Sequence, residues 1–431
     1  MKIYILSLGC AKNKVDSECL AGELKRAGHT LVEDVSLAEV GIVNTCGFIR
    51  PAVEESVAAI LDLEQLKHEG KLKKIGVVGC LVNRYSGEMN EDLPEVDFWA
   101  DSEDWGKVLT YLGNEEKLGR FRSILPLSSK HTRYLKISEG CNNHCTFCTI
   151  PSIRGDLRSL PIKMLVSEAE QLVSEGAREL CLVGQDLTVY GTDIYHKSSF
   201  IELLDSLESS LPKDIWIRLL YLHPARVTTQ LLERISSGRQ ILPYLDVPIQ
   251  HGDSRILSAM NRGMSDEELL AIFKKAREIN PDFALRTTCM VGFPGEKKQH
   301  FDKMIDFISE VQFDRMGAFT FFAEEGTKAY EMSGQVSEAT KKKRLNTLMA
   351  VQEEISFKRQ QLFVGREVDV LLENVEWEYG FAEGRSFREA PEVDGLIEIR
   401  NIREDLKVGD IIKVQLKEAM PHDMVGEEVE K

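Results

Sequence analysis

The sequence contains no long apolar run and no leader-like N-terminus. Its apolar stretches fall well short of the roughly 18 residues that a membrane-spanning helix requires. The first residues, MKIYIL, lack the extended apolar core and small-residue cleavage site of a secretory signal peptide. Solenoid-length repeats and low-complexity tracts are also missing. These absences predict a cytoplasmic protein built from ordinary globular domains.

Basic residues are fewer than acidic residues in this sequence. The chain of 431 residues has 54 Lys and Arg against 70 Asp and Glu, which gives a net charge of −16. A negative field of this kind repels phosphate backbones, so it argues against nucleic acid as the direct substrate. It favours a basic protein partner, or a small substrate that is indifferent to the field.

Nine cysteines are present in a chain that we expect to stay in a reducing compartment. Disulfides are rare in such compartments, so metal binding or catalysis better explains any cysteines that cluster. Six of the nine fall into two groups. The other three, Cys19, Cys181 and Cys289, are predicted to be core residues of one helix and two strands.

The length exceeds what one hydrophobic core supports, and the pattern predicts a multidomain α/β protein. From 1 to 127, apolar strand-like runs alternate with helical patterns, which predicts a doubly wound α/β domain. Six strand-like runs between 131 and 336 predict a partial (βα)6 TIM-like barrel, whose active-site loops follow the carboxyl ends of the strands. A charged linking helix over 337–363 leads to short strands over 364–431, predicted to form a small antiparallel β-barrel.

A cysteine-rich loop follows the first predicted barrel strand. In GCNNHCTFC, Cys141, Cys145 and Cys148 lie within eight residues, so their thiolates can converge on one metal site. Soft thiolates select iron–sulfur clusters, zinc or copper(I). Three ligands on a four-iron cluster leave one iron open to a small molecule. A structural zinc site completed by a distant residue is the alternative, but the loop lies at the catalytic end of the barrel.

The C-x-x-x-C-x-x-C spacing, with an aromatic residue before the last cysteine, resembles the signature of the radical S-adenosylmethionine (SAM) superfamily. The resemblance implies that SAM binds the open iron and that an electron from the cluster breaks its C–S bond, yielding a 5′-deoxyadenosyl radical. It also implies SAM contacts from Phe147, Gln185 and Gly292. The last two follow the second and fifth strands, where a tight turn with a helix cap is the alternative explanation.

Three further cysteines follow the predicted strands of the N-terminal segment. Cys10 comes after ILSLG, Cys46 after IVNT and Cys80 after VVG. Because the carboxyl ends of parallel strands form the ligand crevice of an open sheet, these thiols are expected to meet in space. A buried cysteine is common by itself. One at each of three equivalent strand ends predicts a second three-cysteine cluster site.

The two cysteine sets, the six-unit barrel and the small C-terminal β domain together resemble the methylthiotransferase family of radical SAM enzymes. The resemblance covers essentially the whole chain and implies that the last domain is a TRAM domain. It implies two [4Fe–4S] clusters, two SAM molecules, and an electron donor such as flavodoxin or ferredoxin for inserting a methylthio group at an unactivated C–H bond. The auxiliary cluster is then assigned to Cys10, Cys46 and Cys80, and the radical SAM cluster to Cys141, Cys145 and Cys148.

Two short segments resemble the branch of this family that modifies a ribosomal protein: SLGCAKNKVDSE around Cys10 and APEVDG at 390–395. This resemblance implies methylthiolation of the β-carbon of an aspartate in small-subunit ribosomal protein S12. The segment 364–431 has 9 basic and 18 acidic residues, which suits a basic protein better than tRNA. A tRNA adenosine methylthiotransferase is the alternative enzyme. A non-catalytic iron–sulfur binding or electron-transfer protein is the alternative of another class.

Overall fold

The computed structural model of the chain describes residues 1–85, 88–114, 118, 122–126 and 128–429. The predicted domain boundary at residue 127 lies outside this set, so its position stays a prediction. Among the residues that are described, no helix is long and apolar enough to cross a membrane.

The chain divides into two units, each with its own internal packing. The first contains Met1–Ser129 together with Glu139–Asn143 and Cys148–Leu157. The second contains Lys130–Ser138, His144–Phe147 and Arg158–Lys431. The cysteine-rich loop therefore contributes residues to both units.

A five-stranded parallel sheet forms the centre of the first unit. The elements of this unit are β1 (Lys2–Ser7), α1 (Ala11–Arg26), β2 (Thr30–Leu31), β3 (Val40–Thr45), α2 (Arg50–His68), β4 (Lys74–Gly79), α3 (Cys80–Tyr85), α4 (Met89–Asp92), β5 (Phe98–Ala100), α5 (Trp105–Tyr111) and α6 (Ile150–Arg154). The strand order is β2-β1-β3-β4-β5.

The composition of the central strands explains this arrangement. β3 is buried along its whole length, and β4 is buried except at its first residue, as expected for parallel strands covered on both faces. Leu20 and Leu24 of α1 pack on one face, and Ile60 and Leu63 of α2 pack on the other. The doubly wound fold predicted from the sequence is confirmed, and its ligand crevice lies where the strand order reverses, between β1 and β3.

The second unit begins with the barrel strands. Its elements up to the linking helix are β6 (Thr132–Lys136), the first residue of β7 (Ser138–Glu139), β8 (Arg158–Ser159), α7 (Ile162–Ser174), β9 (Glu179–Val183), α8 (Phe200–Ser210), β10 (Trp216–Leu219), α9 (Thr229–Ser237), β11 (Tyr244–Asp246), α10 (Ser254–Ala259), α11 (Asp266–Ile279), β12 (Ala284–Val291), α12 (Lys298–Val311), β13 (Arg315–Thr320), α13 (Lys328–Glu331) and α14 (Glu338–Gln361). The second residue of β7, Glu139, belongs to the first unit.

Six parallel strands of this unit form the predicted partial barrel. They pair as β6-β9-β10 and β11-β12-β13, and the backbone of Leu222 donates to the carbonyl of Asp246 at 2.9 Å where the two sets adjoin. One hydrophobic core runs through both sets. The fourth strand is shorter than the predicted run over 245–249, because the chain leaves regular pairing after Asp246.

A closed five-stranded barrel ends the chain. Its strands are β14 (Glu367–Glu376), β15 (Phe381–Arg385), β16 (Ile397–Arg400), β17 (Ile411–Ala419) and β18 (Met424–Glu428). The order around the barrel is β14-β15-β16-β18-β17, with four antiparallel pairs and one parallel pair, β16–β18. The sequence predicts this small barrel from three strand-like runs, 367–373, 395–399 and 411–416, so β15 and β18 are not among the predicted strands.

Buried ion pairs join this small barrel to the partial barrel within the second unit. Glu179, at the start of β9, accepts from Arg218 at 2.6 Å through one oxygen and from Arg385 at 2.6 Å through the other. All three side chains are at most 2% exposed. Burial by itself would raise the pKa of Glu179, but the charges of Arg385 and Arg218 outweigh it and lower the pKa to about 2.

A second buried carboxylate is surrounded in the same way. Asp314 accepts from Arg277 at 2.6 Å, from Arg359 at 3.1 Å and from Arg388 at 3.3 Å. Burial would raise its pKa, and the guanidinium charges, led by that of Arg388, hold it well below the usual range. Since buried charges are tolerated only when they are paired, these contacts fix how the two barrels of the second unit pack.

We predict that Glu179→Gln destabilises the protein by about 3–5 kcal/mol near neutral pH, because it leaves two buried guanidinium groups short of their counter-charge. The folded pKa of Glu179 is below its unfolded value, so its stabilising effect is present above about pH 4.5 and is lost as the pH falls towards 2. Urea denaturation of both proteins across this range should show the difference shrinking as the pH falls.

The control is Asp369→Asn, which removes an exposed ion pair with Lys413 at 2.8 Å in the same unit. It should change the free energy of unfolding by less than about 1 kcal/mol. A Glu179→Gln effect of the same small size would contradict the role given to this carboxylate.

Candidate metal centre

Three cysteines lie at the carboxyl edge of the parallel sheet. Cys10 follows β1 by three residues, Cys46 follows β3 directly and Cys80 follows β4 directly. A Cβ atom built on Gly9 would lie 3.2 Å from the Sγ of Cys46. Burial raises the pKa of the Cys46 thiol to about 11, and the neighbouring thiols of Cys80 and Cys10 add to this shift. The structure therefore brings together the three cysteines that the sequence grouped.

A glycine beside each cysteine allows this close approach. Gly9 and Gly79 have φ values of +86° and +102°, which favour glycine. A Cβ on Gly47 would lie 2.7 Å from the carbonyl oxygen of Cys80. The pattern Gly-Cys, Cys-Gly, Gly-Cys at three strand ends is a further signal in the sequence for this site.

Polar side chains of α1 and β3 hold the backbone around this trio. The Asn13 amide donates to the carbonyls of Leu8 at 3.0 Å and Thr45 at 2.8 Å. The Asn44 amide donates to the carbonyl of Asn13 at 2.9 Å and to the Ser17 hydroxyl at 2.8 Å. The strand ends that carry the cysteines are thereby fixed to helix α1.

The trio is graded in exposure: Cys10 is exposed, Cys46 is half-buried and Cys80 is buried. Burial raises the pKa of the Cys80 thiol, and the charge of Arg154 opposes this increase. Three soft sulfur donors fit an iron–sulfur cluster. The neighbouring glycines carry no side chains that would fill the site, and the exposure of Cys10 leaves one side of it open. Thiols of raised pKa must lose protons when they bind a metal, so assembly at this site would release protons.

A buried arginine that the sequence analysis missed reaches the same site. Arg154, at the end of α6, donates from Nε to the Sγ of Cys80 at 3.1 Å. Its other nitrogens donate to Asn13 at 2.5 Å, Asp16 at 2.8 Å and Glu139 at 3.1 Å. All these residues belong to the first unit.

The second cysteine set lies on the loop after the first barrel strand, as predicted. In the first unit, the backbone of Cys141 donates to the carbonyl of Gly155 at 3.1 Å, and its Sγ accepts from the backbone of Asn143 at 3.4 Å. Gly140 has a φ of +76°, and a Cβ there would lie 2.1 Å from the carbonyl oxygen of Asp156. Cys148 follows in the same unit, two residues before α6 begins.

The middle cysteine of this loop belongs to the second unit. The Sγ of Cys145 accepts from the Arg262 guanidinium at 3.4 Å. On one side of it, the side-chain amide of Asn261 donates to the carbonyl of His144 at 2.8 Å. On the other, the backbone of Thr146 donates to the carbonyl of Met260 at 3.1 Å, and both bonds anchor the loop to the segment after α10. A cysteine held in this way and facing a cationic donor fits a thiolate ligand of a metal cluster.

The three predicted SAM contacts lie on loops at this end of the barrel strands. Phe147 packs in a cluster with Met290, Phe293 and Phe321. Gln185 follows β9 by two residues in the loop before α8. Their contacts with SAM are predictions from the sequence resemblance.

Gly292, the third of them, is fixed by a residue that the sequence analysis did not single out. Its backbone donates to Glu296 at 2.6 Å, and Phe293 donates to the same carboxylate at 3.3 Å. Arg344 of α14 pairs with Glu296 at 2.8 Å. Gly292 has a φ of +78°, and a Cβ there would lie 2.3 Å from the Cγ of Lys341, so only glycine fits.

The predicted core cysteines are also where the sequence placed them. Cys19 lies on α1, Cys181 on β9 and Cys289 on β12, and all three are buried. Burial raises the pKa of Cys289 and Cys181 above the usual range, as expected for thiols in apolar surroundings.

Comparison with known families gives three successive matches. Residues 2–101 match the model described as Uncharacterized protein family UPF0004. Residues 135–308 match the Radical SAM superfamily, and residues 364–429 match the TRAM domain. The two barrels of the second unit and the cysteine-bearing sheet of the first thus correspond to separate family models.

Curated relatives match over the full length. The chain is 42% identical to the ribosomal protein uS12 methylthiotransferase RimO of Aquifex aeolicus, over 100% of this chain and 98% of that protein. It is 41% identical to the RimO protein of Natranaerobius thermophilus and 40% identical to that of Thermotoga maritima, over 99% of both chains in each case.

Solved structures share the fold at low sequence identity. A radical SAM methyltransferase, TsrM, from Kitasatospora setae superimposes with a TM-score of 0.54 at 12% identity, over 74% of each chain. The cobalamin-dependent radical enzyme OxsB does so with a TM-score of 0.52 at 11% identity, over 82% of this chain and 56% of that one. SAM and a [4Fe–4S] cluster are the cofactors that this superfamily uses. The chain belongs to the radical SAM methylthiotransferase family, in its RimO branch.

Proposed function

We propose that this enzyme methylthiolates the β-carbon of an aspartate in ribosomal protein uS12, using SAM and two iron–sulfur clusters. The observation that carries the proposal is the presence of two separate cysteine trios, one gathered at the sheet edge and one on the loop after the first barrel strand. The full-length relatives support the choice of substrate, since they are named uS12 methylthiotransferases.

In this proposal each trio holds one [4Fe–4S] cluster. When bound, the clusters and SAM supply the electron, the radical and the sulfur-borne methyl group. The protein's own residues hold, orient and shield these groups, because accurate positioning lowers the barrier by several kcal/mol. Phe147, Gln185 and Gly292 contact SAM. The ligands are Cys141, Cys145 and Cys148 for the radical SAM cluster, and Cys10, Cys46 and Cys80 for the auxiliary cluster.

The charge of the last domain supports a basic protein substrate over tRNA. Its excess of acidic residues gives a net charge of −9 over 364–431, more than half of the −16 of the whole chain. A TRAM domain that gripped tRNA would need basic residues to neutralise phosphates. The proposal also includes a cytoplasmic location and an electron donor such as flavodoxin or ferredoxin.

The domain that carries this acidic excess also exposes aromatic rings. Trp377 and Tyr379, in the turn between β14 and β15, are 52% and 78% exposed. The indole of Trp377 donates to the carbonyl of Leu406 at 2.9 Å, which joins the turn to the segment that carries the exposed Glu404. Aromatic faces next to carboxylates attract lysine and arginine side chains, which are abundant in ribosomal proteins.

The direct test is anaerobic incubation of the reconstituted enzyme with SAM, a reductant and either uS12 or tRNA. Mass spectrometry should find a methylthio group on an aspartate of uS12 and none on tRNA. Modification of tRNA alone would contradict the proposed substrate. A protein that forms no 5′-deoxyadenosine under these conditions would favour a non-catalytic iron–sulfur protein.

We predict that replacing Cys141, Cys145 and Cys148 together by Ala abolishes 5′-deoxyadenosine formation, since the cluster that cleaves SAM loses its ligands. The iron bound at the other trio should remain, at about half of the wild-type content, as measured by iron and sulfide analysis. The control is Cys289→Ala, which removes a buried thiol of β12. It should keep both 5′-deoxyadenosine formation and the full iron content. Complete loss of iron from the triple variant would contradict two independent sites.

The converse triple variant, at the other three cysteines, separates the role of the auxiliary cluster from that of the radical SAM cluster. Replacing Cys10, Cys46 and Cys80 by Ala should leave SAM cleavage intact, while methylthiolated uS12 falls below detection. Cys19→Ala, in helix α1 of the same unit, is the matched control and should retain product formation. Normal yields of methylthiolated product from the triple variant would exclude an auxiliary cluster at the sheet edge.

We predict that Glu378→Gln combined with Glu404→Gln weakens uS12 binding several-fold at low salt, with KM raised and kcat unchanged, because charges at the rim of an interface act mainly on association. The effect should fade as salt screens the charges. The control is Glu55→Gln with Asp62→Asn, two exposed carboxylates of α2. Equal effects of both pairs would argue against docking at this surface.

A further inference from the structure

One guanidinium group connects the two ends of the cysteine-rich loop to the sheet-edge cysteines. Arg154 donates to the Sγ of Cys80 at 3.1 Å and to Glu139 at 3.1 Å. Glu139 precedes Cys141 by two residues, and Arg154 follows Cys148 by six. The side chain of Arg154 is 3% exposed, so these contacts are made in a water-poor environment.

Two buried carboxylates share this one arginine. Asp16 and Glu139, which are 1% and 5% exposed, both pair with one guanidinium nitrogen, Nη1. The Asn13 oxygen accepts from the second, Nη2, at 2.5 Å. This leaves Nε for the sulfur of Cys80. The pairing with two carboxylates fixes the plane of the guanidinium, so the hydrogen bond to sulfur has a set direction.

A metal ion is the competing explanation for the acidic residues here. Oxygens of Asp16, Glu103 and Glu139 lie within 4.8 Å of one another, the spacing of a possible cation site. The guanidinium of Arg154 already supplies the positive charge between Asp16 and Glu139. Asp16 and Glu139 are thus the counter-charges of a buried arginine, and we assign no metal to the group.

A hydrogen bond from a cation to a cluster sulfur has a known electrostatic consequence. Reduction adds negative charge to a cluster, so a donor to a ligand sulfur favours the reduced form and raises the reduction potential. Partners that orient a metal ligand also tune the metal that it holds. Arg154 is placed to act in this way on a cluster bound by Cys80.

We propose that Arg154 is the positioning residue of Cys80 and raises the reduction potential of the auxiliary cluster, with Asp16 and Glu139 holding its guanidinium in place. The inference rests on the proposed function, because it takes Cys80 as a cluster ligand. It requires only residues of the first unit.

The test uses the full chain in which Cys141, Cys145 and Cys148 are replaced by Ala, so that only the auxiliary cluster is observed. Its potential is measured by redox titration followed by electron paramagnetic resonance. Adding Arg154→Gln should lower the reduced-to-oxidised ratio about tenfold at a fixed potential, which is about 59 mV for one electron. Glu139→Gln keeps the arginine and removes a negative charge, so it should shift the ratio in the opposite direction.

The control is Arg122→Gln, which breaks an equally buried pair with Glu18 at 2.6 Å in the same unit. It should leave the ratio within twofold of the parent. A cluster whose ratio is unchanged by Arg154→Gln, or changed no more than by Arg122→Gln, would overturn the inference while leaving the proposed function standing. If Arg154→Gln does not retain iron, the Glu139→Gln variant is the test. An unchanged or lowered reduced-to-oxidised ratio in that variant would overturn the inference. An iron-free parent would overturn both proposals.

Discussion

Parallel pairing of β1, β3 and β4 is the constraint on which the candidate metal centre depends. Thr45 is in register with Gly79, so the next residues along the two strands, Cys46 and Cys80, leave the sheet side by side. Ser7 is in register with Asn44, which brings the turn that carries Cys10 to the same edge. The cysteines are 36 and 34 positions apart in the sequence, and only this register gathers them.

The second constraint is the pairing of buried charges, which three of the described residues illustrate. Arg154 in the first unit and Glu179 and Asp314 in the second are each almost fully buried, and each has at least two charged or polar partners. Such pairs contribute little net stability compared with apolar packing of the same volume, but removing one partner is costly. Their main effect is to fix relative positions, which a radical reaction at an unactivated carbon needs most.

The sequence was most informative where the chemistry is local or tied to a regular pattern. The C-x-x-x-C-x-x-C loop is one short segment, and Cys10, Cys46 and Cys80 all follow apolar strands that are easily recognised. Arg154 was not found, because its contacts with Asp16 and Cys80 join residues 138 and 74 positions apart and leave no local period. The pair of Glu179 and Arg385, separated by 206 positions, escaped for the same reason.

Strand prediction in the last domain failed on similar grounds. β15 has the sequence FAEGR, in which a glycine and two charged residues hide the alternation expected of a strand. Gly384 is required there because a Cβ would lie 2.5 Å from a methyl group of Val370 on the neighbouring strand. The closure of the barrel, which no single segment reveals, decides the conformation of this segment.

The loop between β15 and β16 has a consequence for how this protein can be divided or recombined. It supplies Arg388 to Asp314 and Glu389 to Arg315, and both partners belong to the larger barrel. A chain that stopped before residue 364 would leave Arg315 without Glu389, and Asp314 with Arg277 and Arg359 but without Arg388. The C-terminal domain is therefore not an exchangeable module, and a chimaera that swapped it for a related domain would have to bring matching loop residues with it.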